Sequence, residues 1–160
     1  MKILKIALYV VLGLGALVVA LFVAARLGDG PIAILPGGPL RSGPVVEEPV
    51  ADWSFAADVE EIELQLASQS ISRTTWIAVH EGVAYIPARL GFPPGKSWHF
   101  EADRNGDAVL RIEGRRYPVS LRRLEDETRA SAVQQVLRAK YAPPPGSGGG
   151  LWLFEVHSRG

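Results

Sequence analysis

The chain contains no cysteine, only three histidines and a single methionine in 160 residues. The lack of cysteine excludes a disulfide framework, thiolate metal ligands and a cysteine nucleophile. His80, His99 and His157 lie far apart and form no His-x-x-x-His pair, so no metal site is expected. A basic excess is also missing, because 17 Lys and Arg balance 17 Asp and Glu. We therefore expect no nucleic-acid partner.

Motifs for hydrolysis and nucleotide binding are absent as well. No Gly-x-Ser-x-Gly elbow occurs, and the run Gly146 to Gly150 lacks the Gly-Lys-Ser/Thr ending of a phosphate loop. Asp103, Asn105 and Asp107 alternate as in a calcium loop, but the glycine and the final glutamate of that motif are not at the required positions. The sequence predicts no catalytic side chain.

What the chain does have is one long apolar run near its N-terminus. Residues 6–25 contain no charge and hold 18 of the 76 apolar residues. Twenty residues in a helix span about 30 Å, the thickness of a hydrocarbon core. We interpret residues 1–27 as a transmembrane anchor whose partner is the lipid bilayer. A cleaved signal peptide is the alternative, since Val23-Ala24-Ala25 would suit a signal peptidase.

The charges beside this run predict its orientation. Lys2 and Lys5 precede it, whereas Arg26 is followed closely by Asp29. The positive-inside rule then places the N-terminus in the cytoplasm and the C-terminal domain outside it. Beyond Arg26 the chain carries 14 basic and 17 acidic residues, a slightly acidic balance.

Residues 28–51 are expected to form a linker and residues 52–160 a small domain. Ten of the 22 residues from Gly28 to Pro49 are Gly or Pro, which excludes a helix or a central strand there. From Asp58 the pattern alternates, with Ile62, Leu64 and Leu66 on one face of a strand. Glu81-Gly82 and Glu113-Gly114 lie between β-rich runs, and Asn105-Gly106 is another strong turn signal, so the sequence predicts three tight hairpins and a mainly antiparallel sheet.

An irregular loop is expected between the first and the last of these hairpins, with a turn at Asn105-Gly106. After the last hairpin, Asp126 is a candidate N-cap, and Val133, Val136, Leu137 and Tyr141 follow helical spacing. Pro143 to Pro145 should end this helix, and a nearly all-apolar strand follows from Leu151 to Val156. The sequence thus predicts a mainly β, α+β fold: a small antiparallel split β-barrel with one amphipathic helix, preceded by a single transmembrane helix.

A set of basic, hydroxyl and aromatic residues could converge at one rim of such a barrel. Guanidinium groups bind phosphate bidentately and aromatic faces stack on flat rings, so the set suits a phosphorylated planar ligand. Alternatively, the three cations are surface charges that balance the acidic strand at Glu60, Glu61 and Glu63. The candidate residues are Arg73, Thr74, Tyr85, Arg89, Lys96 and Trp98.

From about Trp53 to Val156 the chain resembles the pyridoxamine 5′-phosphate oxidase-like, FMN-binding split β-barrel family, including its deazaflavin-dependent nitroreductase relatives. The resemblance rests on the hairpin RTTWIAVHEGVAYIPA, the segment KSWHFEADRNGDAVLRIEGRRYPVSLRRLED, and the helix ending in Lys140-Tyr141 before a closing strand. It implies that Arg73, Thr74 and Lys96 contact a cofactor phosphate. Tyr85 and Trp98 would lie near the cofactor ring.

Two functions follow as hypotheses. The first is a non-catalytic, membrane-anchored ligand-binding or scaffold module that has lost its cofactor. The second is an FMN-dependent oxidoreductase of this class, in which the cofactor performs the hydride chemistry. The resemblance also implies a homodimer paired through the sheets.

Overall fold

The computed structural model describes residues 2–91, 95–142 and 150–159. Three helices and seven strands follow one another along these residues. The helices are α1 (Lys2–Leu27), α2 (Trp98–Arg104) and α3 (Glu127–Lys140). The strands are β1 (Glu61–Leu66), β2 (Ser72–Trp76), β3 (Ala78–His80), β4 (Val83–Arg89), β5 (Asp107–Ile112), β6 (Arg115–Arg123) and β7 (Leu151–Ser158).

Helix α1 stands apart from the rest of the chain. Within its span from Lys5 to Leu27 an 18-residue stretch has a mean hydropathy of 2.8, so the helix is long and apolar enough to cross a membrane. Nearly all of its described side chains are exposed, whereas Ala25 near its end is fully buried. The helix therefore contacts the remainder of the protein only close to its C-terminus.

The seven strands form one antiparallel sheet in the order β2-β1-β5-β6-β7-β4-β3. Strands β2 and β3 lie at opposite edges of this sheet, yet only the buried Ile77 separates them in the chain. A single residue can join the two edges only if the sheet curls on itself, since consecutive Cα atoms are 3.8 Å apart. This curled sheet confirms the predicted barrel-like α+β fold.

Two of the three predicted hairpins are confirmed, and the third is wrong, because Asn105 and Gly106 connect α2 to β5 rather than two paired strands. Glu81 and Gly82 connect β3 to β4 with φ angles of 51° and 77°, and Glu113 and Gly114 connect β5 to β6 with 48° and 77°. Two consecutive residues of positive φ give the type I′ geometry that matches strand twist. The alternation of β1 is also confirmed, because Ile62, Leu64 and Leu66 are buried.

Helix α3 was predicted from the sequence pattern, whereas helix α2 was not. Asp126 caps α3 by accepting a hydrogen bond from the backbone N–H of Arg129 at 3.0 Å, as expected. The expectation of an irregular loop before Asn105 is wrong, because residues 98–104 form α2. Trp98 and Ala102 are buried on one face of this short helix, and that burial favours the helix despite the absence of a side-chain bond at its cap, Ser97.

The core has two parts. The larger cluster fills the curled sheet and includes Leu64, Ile86, Leu110 and Phe154. The smaller one lies between the sheet and α3, where Tyr85, Leu153 and Ala78 pack against Val133 and Leu137. Helix α3 thus covers the outer face of β3, β4 and β7.

Residues 28–51 run along the barrel and are bonded to it at several points. Gly37 pairs with Ser72 through backbone bonds of 3.0 and 3.2 Å, and the N–H of Val46 donates to the carbonyl of Arg116 at 2.8 Å. Arg111 forms ion pairs with Asp29 at 2.9 Å and with Glu63. The end of α1 is thereby connected to the barrel through paired backbone and charged contacts. The Pro143–Pro145 stop and the Gly-rich turn, residues 146–150, lie outside the described residues except for Gly150.

Candidate functional site

A large groove lies where β2, β4, the start of α2, α3 and the end of α1 meet. It encloses about 1700 Å³ and combines apolar, aromatic and charged side chains. Strand β2 contributes four consecutive residues, Arg73 to Trp76, because it is an edge strand with one side free of sheet pairing. The groove therefore follows from the curl of the sheet, which brings β2 near β4 and leaves room between them.

The charges of this groove are strongly one-sided. Of its lining residues, five are basic and one, Glu61, is acidic. The chain as a whole is neutral, so the groove concentrates positive charge that is balanced elsewhere on the protein. The basic residues are Arg26, Arg73, Arg89, Lys96 and Arg138.

Two of these cations flank one buried indole. The guanidinium carbon of Arg73 lies 5.6 Å from the ring centre of Trp98, and the ammonium nitrogen of Lys96 lies 6.0 Å from it. Trp98 is 4 % exposed and also packs on Phe154. The ring is therefore a support that holds two positive charges at the groove wall by cation–π attraction.

Few polar groups compensate this pair of cations. Arg73 donates from Nη2 to the Gln69 side chain at 2.7 Å, but its buried Nε has no hydrogen-bond partner among the described residues. Within the same described part of the chain, neither Arg73 nor Lys96 forms an ion pair. A buried donor without an acceptor is destabilising, so Arg73 is held beside the groove at a cost in stability.

The electrostatic consequence is visible in the pKa values. Burial, together with the neighbouring charges of Arg89 and Arg73, lowers the pKa of Lys96 to about 8. Burial also lowers the pKa of Arg73 to about 10. Both changes mean that the surroundings of these two side chains disfavour their positive charges.

A stacked aromatic pair forms another part of the wall. The rings of Trp76 and Tyr141 lie 4.4 Å apart with an angle of 3° between their planes. The hydroxyl of Tyr141 donates to the carbonyls of Glu60 at 2.5 Å and Ile77 at 2.8 Å as alternative partners. The ammonium of the adjacent Lys140 donates to the carbonyls of Ala57, Val59 and Ile77. The pair is a fixed flat surface beside the cations.

Five of the six candidate residues line this groove, and Thr74 does so with its hydroxyl already engaged. Its Oγ1 donates to the carbonyl of Ala33 at 2.7 Å, which ties β2 to the turn after α1. The other lining candidates are Arg73, Arg89, Lys96 and Trp98.

Tyr85 does not line the groove. It is 1 % exposed and packs under α3 with Val133 and Leu153. Burial raises its pKa, and the nearby charge of Glu155 raises it further. Tyr85 and Arg89 share one face of β4, but four residues of strand separate them by about 13 Å, so only Arg89 reaches the groove.

Four basic or aromatic lining residues were not among the predicted site residues. Arg26 is the basic residue that ends α1, and Arg138 lies in the last turn of α3. Trp76 and Tyr141 complete this set. Trp76 immediately follows the Arg73-Thr74-Thr75 run, a signal that could have drawn attention to it, whereas the other three enter only through the docking of helices.

The alternating acidic residues near Asn105 serve other contacts. Asp103 pairs with Arg123 at 3.7 Å and Asp107 with Arg159 at 2.7 Å. Among the described residues, no group of three or more His, Asp or Glu side chains could hold a metal ion.

Comparison with models of known protein families gives no match for this chain. Comparison with curated protein sequences gives none either. The function must therefore be argued from the groove itself.

Proposed function

We propose that the chain is a membrane-anchored, non-catalytic module that binds an anionic ligand in the groove between β2, β4 and the helices. The observation that carries this proposal is the five-to-one excess of basic over acidic lining residues. Guanidinium and ammonium groups at such a density bind phosphate or carboxylate ligands. The lowered pKa values of Lys96 and Arg73 support it, because a bound anion relieves the conflict between these charges.

The alternative that these cations merely balance the acidic strand has less support. Glu63 is paired with Arg111 rather than with a groove cation. Glu61 lines the groove but forms no ion pair within the described part of the chain. The acidic strand thus leaves the charges of Arg73 and Lys96 uncompensated.

The membrane arrangement is part of the proposal. Helix α1 acts as an uncleaved anchor, with Lys2 and Lys5 on the cytoplasmic side. The barrel and its groove then lie outside the cytoplasm, next to the non-cytoplasmic surface of the membrane that α1 crosses. Pairing of two copies through their sheets, which the family resemblance implies, stays a prediction.

An FMN-dependent oxidoreductase is the second candidate, and one observation favours it. The stacked Trp76 and Tyr141 rings lie in the same groove as Arg73, Arg89 and Lys96, so a flat ring and a phosphate would both find suitable surfaces. FMN would supply hydride chemistry when bound, and these residues would hold it. Trp98 is buried behind the two cations and is not free to stack on the ring.

The test is a titration of the full chain in nonionic detergent micelles with inorganic phosphate and with FMN. We expect both to bind, and the double variant Arg73→Gln/Lys96→Gln to weaken binding by about a hundredfold, because each charge-assisted bond contributes about 1.5 kcal/mol or more. The matched control is Arg115→Gln/Arg122→Gln, which removes two exposed charges of β6 outside the groove. Calorimetry measures the affinities.

The outcomes separate the candidates. Binding of both probes with equal affinity supports an anion-binding module, whereas a much tighter, yellow FMN complex that is reduced by a nicotinamide cofactor favours the oxidoreductase. If neither probe binds, or if the two double variants weaken binding equally, the anion-binding proposal is wrong.

A further inference from the structure

One wall of the groove belongs to the membrane-proximal part of the chain. Arg26 lies one residue before the end of α1, at the boundary of its apolar span. Ala33, Ile34 and Pro36 follow in the next turn and also line the groove. A basic residue at the end of a membrane helix lies at the depth of the lipid headgroups. The groove therefore opens at headgroup level.

The turn after α1 presents apolar side chains to its surroundings. Ile32 and Leu35 pair through backbone bonds of 3.1 and 2.9 Å, and this narrow turn projects Ile34 at its tip. Ile34 is 93 % exposed and Ile32 is 53 % exposed, and Leu27 at the end of α1 is 75 % exposed. Exposed branched residues next to a membrane helix are suited to insertion among lipid chains rather than to contact with water.

This turn is fixed with respect to the cations of the groove. The N–H of Gly38 donates to the carbonyl of Ala25 at 3.0 Å, which joins the helix end to the segment that pairs with β2. The Thr74 hydroxyl holds Ala33 from the barrel side at 2.7 Å. A Cβ on Gly38 would lie 2.1 Å from the carbonyl oxygen of Gly28, so the two backbone segments are in direct contact. The apolar tip and the basic groove therefore form one continuous surface.

We infer that the ligand of the groove is the phosphate headgroup of an anionic membrane lipid. The inference rests on the proposed anion-binding function and adds the source of the anion. The phosphate binds among Arg73, Arg89 and Lys96, and the acyl chains leave past Ile34 and follow α1 into the bilayer. Charge complementarity selects the headgroup, and the continuity of groove, turn and membrane helix selects a lipid over a soluble anion.

Phosphatidic acid and glycerol 3-phosphate test this inference as a matched pair, because the second is the headgroup of the first without its acyl chains. The full chain in nonionic detergent micelles is titrated with phosphatidic acid, phosphatidylcholine or glycerol 3-phosphate. Native mass spectrometry measures the affinity of the first bound molecule. We expect phosphatidic acid to bind at least about tenfold more tightly than either of the others.

Two variants locate the binding energy. Arg73→Gln/Lys96→Gln should remove the preference for phosphatidic acid over phosphatidylcholine. Arg115→Gln/Arg122→Gln should keep this preference. Ile34→Ser should weaken phosphatidic acid binding by about tenfold through lost apolar contact and leave glycerol 3-phosphate binding unchanged. Because Ile34 is exposed, this second variant keeps the fold and tests the inference independently of the groove charges.

Each contrary outcome has a definite meaning. Groove-dependent binding of glycerol 3-phosphate without a preference for phosphatidic acid would overturn the lipid source and leave the anion site standing. Phosphatidic acid binding that survives Arg73→Gln/Lys96→Gln would overturn the inference, since α1 alone would then account for it. Absence of binding by either phosphate compound would overturn both proposals.

Discussion

Replacement of Lys96 by methionine should stabilise the unliganded protein while it weakens the anion site. Burial and the charges of Arg89 and Arg73 lower the pKa of Lys96 to about 8, so the folded protein opposes protonation of this amine. A change of one in pKa corresponds to about 1.4 kcal/mol, so removal of this amine can raise the free energy of unfolding by at most about 3 kcal/mol. Lys96 is only half-buried, and solvent screening reduces the expected gain at neutral pH to about 1 kcal/mol.

The sign of the pH dependence follows from linkage. Below pH 8 the amine is charged in both the folded and the unfolded chain, and its unfavourable environment opposes folding in full. As the pH rises from about 8 towards the ordinary lysine range, the folded state releases its proton first and the wild-type protein recovers stability. The stability gained by Lys96→Met should therefore be largest below pH 8. It should disappear near pH 10 to 11, where an unperturbed lysine in the unfolded chain also loses its proton.

Lys140→Met is the matched control, because Lys140 is a second half-buried lysine with the opposite surroundings. Its ammonium donates to the carbonyls of Ala57 at 2.6 Å, Val59 at 2.5 Å and Ile77 at 3.1 Å. Loss of these bonds should lower the free energy of unfolding by about 2 kcal/mol. The same substitution should thus move stability in opposite directions at the two positions.

The assay is thermal unfolding of the full chain in detergent micelles, followed by tryptophan fluorescence at several pH values. A gain of about 1 kcal/mol corresponds to a rise in midpoint of roughly 4 °C. Added glycerol 3-phosphate should stabilise the wild-type protein more than Lys96→Met, because binding to the folded state raises its stability. A loss of stability in Lys96→Met comparable to that in Lys140→Met would refute the reasoning, since Lys96 would then be a structural donor.

Four further predictions follow from the same contacts. Arg111→Met should lower the free energy of unfolding by about 2 kcal/mol in urea titrations, because it leaves two partly buried carboxylates unpaired; an unchanged midpoint would contradict this. His99→Phe should raise the free energy of unfolding by about 1 kcal/mol, because the 2 % exposed imidazole has no hydrogen-bond partner for Nδ1 within the described residues. A lower free energy of unfolding would contradict this and show that Nδ1 has a partner. Anion affinity should decrease as the pH rises through about 8, with proton uptake on binding in calorimetry, and Lys96→Gln should abolish that uptake. The intact mass of the membrane-extracted chain should include residues 1–25, and a mature chain beginning after Ala25 would favour a signal peptide instead.

The parts of the fold that could be predicted are those encoded by local signals. Glu-Gly pairs between β-rich runs need positive φ at both positions and produced the two hairpins, and the Asp126 cap with its helical apolar spacing produced α3. Helix α2 has only seven residues and lacks a side-chain bond at its cap, so nothing local distinguishes it from a loop. Burial of Trp98 and Ala102, which depends on the finished core, is what makes it helical.

The residues of the site on the strands and the loop before α2 could be predicted, but those that depend on the packing of α3 could not. The cations of β2, β4 and the segment before α2 converge because the curl of the sheet brings β2 near β4, although the two strands are far apart in the strand order. Tyr85 shares a strand face with Arg89, but α3 covers that position, and no local pattern reports which part of a face a helix will cover. Arg138 and Tyr141 belong to α3 and reach the groove for the same reason.

The position of α1 matters for the groove, because the end of this helix forms part of the groove wall. A tether of Gly and Pro would leave the distance between membrane and barrel undefined. Here, Gly38 bonds the carbonyl of Ala25, Gly37 pairs with Ser72, and Arg111 holds Asp29, so the end of α1 keeps a set position beside β2. Because Arg26 and Ile34 then form a groove wall, a ligand in the groove contacts the membrane-proximal segment and the barrel at once. The barrel cations and the end of α1 therefore line one groove, and under the proposed function they are parts of one binding site rather than a domain and its tether.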